Sequence, residues 1–320
     1  MLFPVSGVKI NFLVPPAVAM AISFFTSMGG VSGAFLLLPF QMSVFAYTSP
    51  SVSATNFVFN IVAIPSAVYR YIREGRMAWP LTWIVITGTF PGVFIGYYLR
   101  VIYLPDPRTF KLYVGSLLLY IGIRLLYETT AKAAESKNRM KALQEKFRQR
   151  AAELAKQQKT RFAAGLPEEA VVKTISIDLS RVEYEFWGER FSFNTVGMFV
   201  LAFIVGVIGG AYGIGGGAII APFCVAVFRL PVYTVAGAAL LGTFLTSVAG
   251  VAFYSIIPAR GGLVTSPDWL LGFLFGVGGF VGMYVGARCQ KFIPQKFIKL
   301  TLGIGIVFLA VIYIGQYFSV

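Results

Sequence analysis

The sequence predicts an all-α integral membrane protein of two inverted repeats, each a glycine-broken helix pair, re-entrant or short, plus three spanning helices, with a cytoplasmic α/β insert. Three observations carry this reading. Of 320 residues, 57% are apolar and only 12% charged, where an ordinary soluble domain carries about 25% charged residues. Charge is segregated: residues 128–193 hold 13 of the 27 Lys/Arg and 10 of the 13 Asp/Glu, leaving Glu74, Asp106 and Asp268 as the acids elsewhere. Finally, the two apolar regions repeat one another.

Six apolar runs, at about 50–70, 80–100, 109–127, 232–257, 268–288 and 297–317, each approach the roughly 20 residues a helix needs to cross hydrocarbon. Two further runs, 12–47 and 194–229, are cut by Gly29-Gly30-Val31-Ser32-Gly33 and by Gly209-Gly210-Ala211-Tyr212-Gly213-Ile214-Gly215-Gly216-Gly217. Their distal pieces are too short to span. A shift of 183 lays Asn11, Gly30, Gly33 and Pro39-Phe40 on Asn194, Gly213, Gly216 and Pro222-Phe223. A shift of 190 lays Gly88, Gly92 and Gly96 on Gly278, Gly282 and Gly286, and 188 lays Lys111-Leu112 on Lys299-Leu300. The domains are therefore 1–127 and 194–320, the membrane repeats, and 128–193, the linker.

If each broken segment crosses once, four crossings make the repeats parallel; if it enters and returns, three make them inverted. Five short full crossings would give the same orientation as three. With the basic stretch 132–161 in the cytoplasm, the inverted scheme also puts Arg70, Arg73, Arg76, Arg288, Lys291, Lys296 and Lys299 inside. That scheme is favoured, with both termini outside and the protein multi-pass in a cell inner membrane. Only Lys9 precedes Ala17-Val18-Ala19 and Pro15-Pro16 interrupts the run, which argues against a cleaved signal.

Within the linker, Met140, Leu143, Phe147, Ala151 and Leu154 form a narrow stripe on an expected long helix at 128–162. That stripe offers a seam for a homo-oligomer. Beyond Pro167, Ile175, Ile177 and Leu179, then Val182, Tyr184 and Phe186, alternate as two short strands.

Several chemistries are excluded. There is no histidine, and the only cysteines are Cys224 and Cys289, so zinc spacings, Cys/His dyads and the Ser/His/Asp triad are absent. No cofactor, metal site or enzymatic role is expected. The excess basic residues punctuate apolar runs instead of forming one stripe, which suits anionic lipid and not nucleic acid. No Asp, Glu or His falls within a span, which disfavours a cation substrate and a carboxylate proton relay.

Irregular backbone at membrane depth survives only inside protein or beside a water-filled cavity. In inverted repeats, half-helices starting near Ala34 and Ala218 aim their N-terminal amides at the midplane, where they suit an anion; the C-termini of the preceding half-helices oppose this. Thr55, Asn56 and Asn60 in the first repeat, and Thr243, Thr246 and Ser247 in the second, are uncharged polar groups on the helices that follow. The candidate substrate site is Ser32, Gly33, Asn56, Asn60, Gly215, Gly216, Thr243 and Thr246. The glycine stripes at 88–96 and 278–286 read as close helix packing, and Arg70 and Arg124 as snorkelling flanks.

The paired glycine motifs running to Pro39-Phe40 and Pro222-Phe223, followed by Ala54-Thr55-Asn56 and Gly242-Thr243, resemble the TauE/SafE sulfite exporter family over residues 10–127 and 194–317. The resemblance implies a secondary transporter or facilitator of a small sulfur-containing anion: sulfite, thiosulfate, a sulfonate or sulfoacetate. It assigns no individual residue a role, and the 66-residue linker departs from its pattern. The rival reading is a membrane-anchored sensor or assembly module acting through 128–193.

Overall fold

The structure is a computed structural model that describes residues 1–29, 32–73, 75, 77–130, 171–186, 188–259, 262–289 and 295–318. The first half contains α1 (Val14–Gly29), α2 (Ala34–Val44), α3 (Ser51–Ala63), α4 (Pro65–Arg73), α5 (Trp79–Tyr98), which continues as a π-turn at Leu99–Tyr103, and α6 (Pro107–Tyr127). Strands β1 (Lys173–Ile177), β2 (Arg181–Phe186) and β3 (Glu189–Asn194) follow. The second half contains α7 (Thr195–Tyr212), α8 (Gly217–Ala226), α9 (Val232–Ile256), α10 (Trp269–Cys289) and α11 (Gln295–Phe318). Among the described residues, six helices are long and apolar enough to cross a membrane, or seven if α3 and α4 form one bent span.

One expected span differs. The run at 50–70 breaks after Ile64 into α3 and α4, bent by 44°, because Pro65 has no amide to donate and its ring clashes with the preceding turn. Its counterpart α9 has no interior proline and runs unbroken for 25 residues.

Glycines set the helix directions. A Cβ on Gly88 would meet Ala202, one on Gly92 Val207, and one on Gly96 Ala211; the partners advance in step, so α5 and α7 are parallel. Gly278, Gly282 and Gly286 likewise meet Pro16, Met20 and Phe24, making α10 parallel to α1. These stripes let backbones touch where any side chain would collide. Gly272 meets Thr55 and Val58, and Gly276 meets Val62, so α3 also runs with α10. By contrast, Phe57 lies against Gly250 while Asn60 reaches Ser247, so α3 and α9 are antiparallel. Gly115 against Tyr313 and Gly122 against Val307 make α6 and α11 antiparallel.

Hence α1, α3 and α10 point one way, and α5, α7 and α9 the other. Because α1 and α3 share a direction, α2 carries the chain back between them. Its far end leads to Thr48, whose carbonyl is held by Arg100 at the end of the bundle where Tyr97 bonds Ile257. The end of α8 lies at the opposite face, with Phe228 against Phe193 of β3.

Polar residues mark the two ends. Asp106, Asn194 and Asp268 accept from Thr109, Gly197 and Leu271, capping α6, α7 and α10. Glu128 bonds Lys299 and pairs with Arg124 at 3.6 Å, so Arg124 has a carboxylate partner where the sequence suggested a simple snorkelling flank. Arg70's side chain lies outside the described residues.

Among the described residues the insert holds three antiparallel strands where two were expected, in the order β1-β2-β3. Phe191 and Phe193 of β3 were hidden from the sequence reading because they abut the next apolar helix. Val182, Tyr184 and Phe186 face inward as expected, and Tyr184 Oη lies 2.9 Å from Thr234 Oγ1 on α9. Burial pushes the Tyr184 phenol up. Ile175, Ile177 and Leu179 are instead exposed, as β1 is an edge strand bonded on one side by β2 and Leu179 lies in the turn between them. The expected helix at 128–162, and the oligomer seam on it, lie outside the described residues beyond Thr130.

Candidate functional site

The two glycine breaks come together around α3. Asn56 Nδ2 donates to the carbonyl of Ala34 at 3.1 Å and to that of Gly213 at 3.0 Å, so one side chain ties the start of α2 to the end of α7. One turn on, Asn60 Nδ2 donates to Ile214 O at 3.0 Å and to Ser247 Oγ at 3.3 Å on α9. Tyr212 Oη returns the link by donating to Phe35 O at 2.7 Å. All of α3 from Ser51 to Asn60 is buried, which is why these polar groups must find partners inside the bundle.

The glycines are there because no side chain fits. Gly213 and Gly215 have φ of +89° and +74°, the left-handed region that glycine enters without cost. A Cβ on Gly215 would lie 3.0 Å from Thr243 Cγ2 and 3.2 Å from Thr246 Oγ1. On Gly216 it would run into Thr89, and on Gly217 into the carbonyl of Ala239. On Gly33 it would sit 2.6 Å from Ser23 Oγ.

The expected residues are thus largely neighbours, and Ser32 stands at the start of α2. Its hydroxyl accepts locally from Ala34 N at 3.3 Å. Thr243 and Thr246 donate back to Ala239 O at 2.8 Å and Gly242 O at 2.6 Å within their own helix, and a hydroxyl rotor can leave such a bond. The asparagine amide nitrogens, expected to face a substrate, are committed to three carbonyls and the Ser247 hydroxyl. With each nitrogen so placed, Asn56 Oδ1 and Asn60 Oδ1 are left buried without a partner.

The electrostatics of the break are asymmetric, a feature the sequence did not reveal. Near the end of α7, Ile208 O accepts from Tyr113 at 2.8 Å, Gly209 O from the amides of Gly213 and Ile214, and Gly210 O from Tyr254 at 3.1 Å. Ala211 O accepts from Ser53, and Gly213 O and Ile214 O from the two asparagines. The partial negative charge of that helix end is therefore covered by donors. At the starts of α2 and α8, Gly33 and Gly216 stand where a capping side chain would be, and neither helix has a cap bond from that position. Local oxygens still meet most of their first-turn amides: Ser32 Oγ accepts from Ala34, Ser32 O from Phe35 and Gly33 O from Leu36 in α2, and Gly216 O from Ile219 and Ile220 in α8. Side-chain and turn donors thus cover the carbonyls ending α7, while Gly33 and Gly216 bring no capping side chain to the positive starts of α2 and α8.

Among the described residues no group of three or more His, Cys, Asp or Glu could hold a metal, and Cys224 is a buried free thiol.

Apolar spanning helices closed around broken half-helices, with uncharged polar groups where the breaks meet, are the construction of a membrane transport protein. The chain belongs to the TauE/SafE sulfite exporter family, whose sequence profile matches residues 16–313. It is 21% identical over 288 residues to the probable membrane transporter protein YunE of Bacillus subtilis (strain 168), covering 87% of this chain and 88% of that one. A second relative, the probable membrane transporter protein YdhB of the same organism, is 32% identical over 117 residues, 36% of this chain and 44% of that one. No solved structure matches at a significant level. Family and relatives are transporters, not enzymes.

Proposed function

We propose that this membrane transporter is a secondary transporter or facilitator of a small sulfur-containing anion, such as sulfite, thiosulfate or a sulfonate. The observation that carries the reading is the asymmetry at the breaks, where donors cover the carbonyls ending α7 while Gly33 and Gly216 leave the starts of α2 and α8 without a capping side chain of their own. A helix start of this kind binds oxyanions through backbone amides without a buried counter-charge. The amides near Ser32, Gly33, Gly215 and Gly216 supply donors, the Thr243 and Thr246 hydroxyls swing from their own helix to add two more, and Asn56 and Asn60 hold the breaks in register.

In the membrane, the opposed helix directions support inverted repeats, with α1–α2 and α7–α8 as re-entrant pairs entering from opposite faces. The end carrying the insert and the basic residues Arg73, Arg124, Arg229 and Lys299 is cytoplasmic by the positive-inside rule, and the membrane is the inner membrane. Purified protein in liposomes should exchange at least one sulfur oxyanion or sulfonate and no monovalent metal cation. Sodium or potassium flux with no response to any anion refutes this reading, and a lack of any flux favours a sensor or assembly role for residues 128–193.

A further inference from the structure

Arg100 is the one large cation sealed inside the described bundle. It sits in the π-turn Leu99–Tyr103, and its side chain is 0% exposed. π-turns recur at functional sites. The guanidinium lies over the Phe110 ring, 3.6 Å from its centroid. Nη2 donates to Thr48 O at 3.1 Å and Nη1 donates to Leu104 O, while Nε is buried with no partner.

Among the described residues no carboxylate bonds it. Asp106 is exposed and caps α6, and Asp268 is held by Ser6 and by the amide of Leu271. A charge taken out of water and left with neutral carbonyls lacks the compensation that an ionic partner gives. Arginine also has five N–H donors, more than two carbonyls use.

Its position connects it to the breaks. Tyr97, one turn earlier on α5, stacks edge-on with Tyr254 at 4.9 Å, and Tyr254 bonds Gly210 O at the end of α7. Thr48, the other carbonyl partner, belongs to the α2–α3 connection at the end of the bundle away from the insert.

We propose that Arg100 is a second anion station, the counter-charge that a sulfur oxyanion meets between the breaks and the end of the bundle opposite the insert. This rests on the anion reading above. In the described state the carbonyls of Thr48 and Leu104 occupy the guanidinium and close that end; an arriving oxyanion displaces them, because charge-assisted, forked pairing is stronger than pairing with neutral carbonyls.

The test compares wild type with Arg100→Gln in proteoliposomes, using sulfite and thiosulfate as probes, beside anion-dependent thermal shifts in detergent. Folded R100Q is expected to raise the anion KM at least tenfold and to lose the anion-dependent rise in Tm. A purely structural arginine would lower the yield of folded protein and leave the KM of the folded fraction unchanged. Wild-type KM and Tm response in folded R100Q overturn this station and leave the anion reading standing. Wild type that neither moves nor is stabilised by any anion overturns both. Should R100Q not fold, Arg100→Lys keeps the charge without the fork and is expected to raise KM at least threefold; an unchanged KM there overturns the assignment.

Discussion

Replacing Asn56 by leucine keeps the branched shape and removes the two bonds that join the breaks, to Ala34 O and Gly213 O. Gly213 O, in the break, loses its donor at about 1–3 kcal/mol, while Ala34 O keeps its place in the α2 ladder and loses only a second bond. The orphaned Asn56 Oδ1 disappears at the same time and offsets part of this loss. Side-chain hydrogen bonds between membrane helices average nearer about 0.6 kcal/mol each, so the net loss is set at about 1–3 kcal/mol. Thr243→Val is the control: its hydroxyl bonds only its own helix, at a carbonyl that has an intrahelical partner, and should cost about 0.5 kcal/mol or less. Reversible unfolding in mixed detergent, followed by far-ultraviolet circular dichroism, measures both. Equal stability of N56L and T243V would refute the claim that Asn56 ties the two breaks together.

Gly213→Ala places a Cβ at φ +89° and against the Ser53 carbonyl, so it should cost more than about 2 kcal/mol in the same unfolding assay; a change below 0.5 kcal/mol, at about the level of an ordinary surface substitution, argues against the left-handed turn. Tyr184→Phe removes the bond to Thr234 and is expected to cost about 0.5–1.5 kcal/mol, with proteolysis of the insert accelerated; an unchanged cleavage rate shows that the sheet does not rely on this tether. Single cysteines at Arg73 and Gln295 should label from the cytoplasm, and those at Asp106 and Ser266 from outside. Labelling of Arg73 and Gln295 from opposite faces rules out the inverted arrangement.

Much of this fold is legible because the bilayer demands long apolar runs. The breaks were placed within one residue, with α2 starting at Ala34 and α8 at Gly217 instead of Ala218. The bend at Pro65 escaped because apolar content alone does not register a missing amide. β3 escaped because Phe191 and Phe193 merge into the apolar run of α7. At the site, residue types and neighbours were legible but hydrogen-bond directions were not. Asn56 looks like a free donor in sequence, and only the fold brings Gly213 O from 157 residues away to take it. Arg100 is the last residue of the run at 80–100, and nothing local signals that a π-turn carries it inward.

The most direct test of the central claim is isothermal titration of sulfite and thiosulfate into folded wild type and into Gly33→Val, Gly216→Val, Asn60→Leu and Thr243→Val. The starts of α2 and α8 at Gly33 and Gly216 are expected to bind one of these anions in the wild type. The glycine variants should lose binding as a side chain enters the break. The polar variants should weaken it by roughly 0.5–3 kcal/mol, as a donor or its positioning partner is removed. Unaltered affinity in all four would contradict the account and move the anion away from the breaks, toward Arg124 and the insert face.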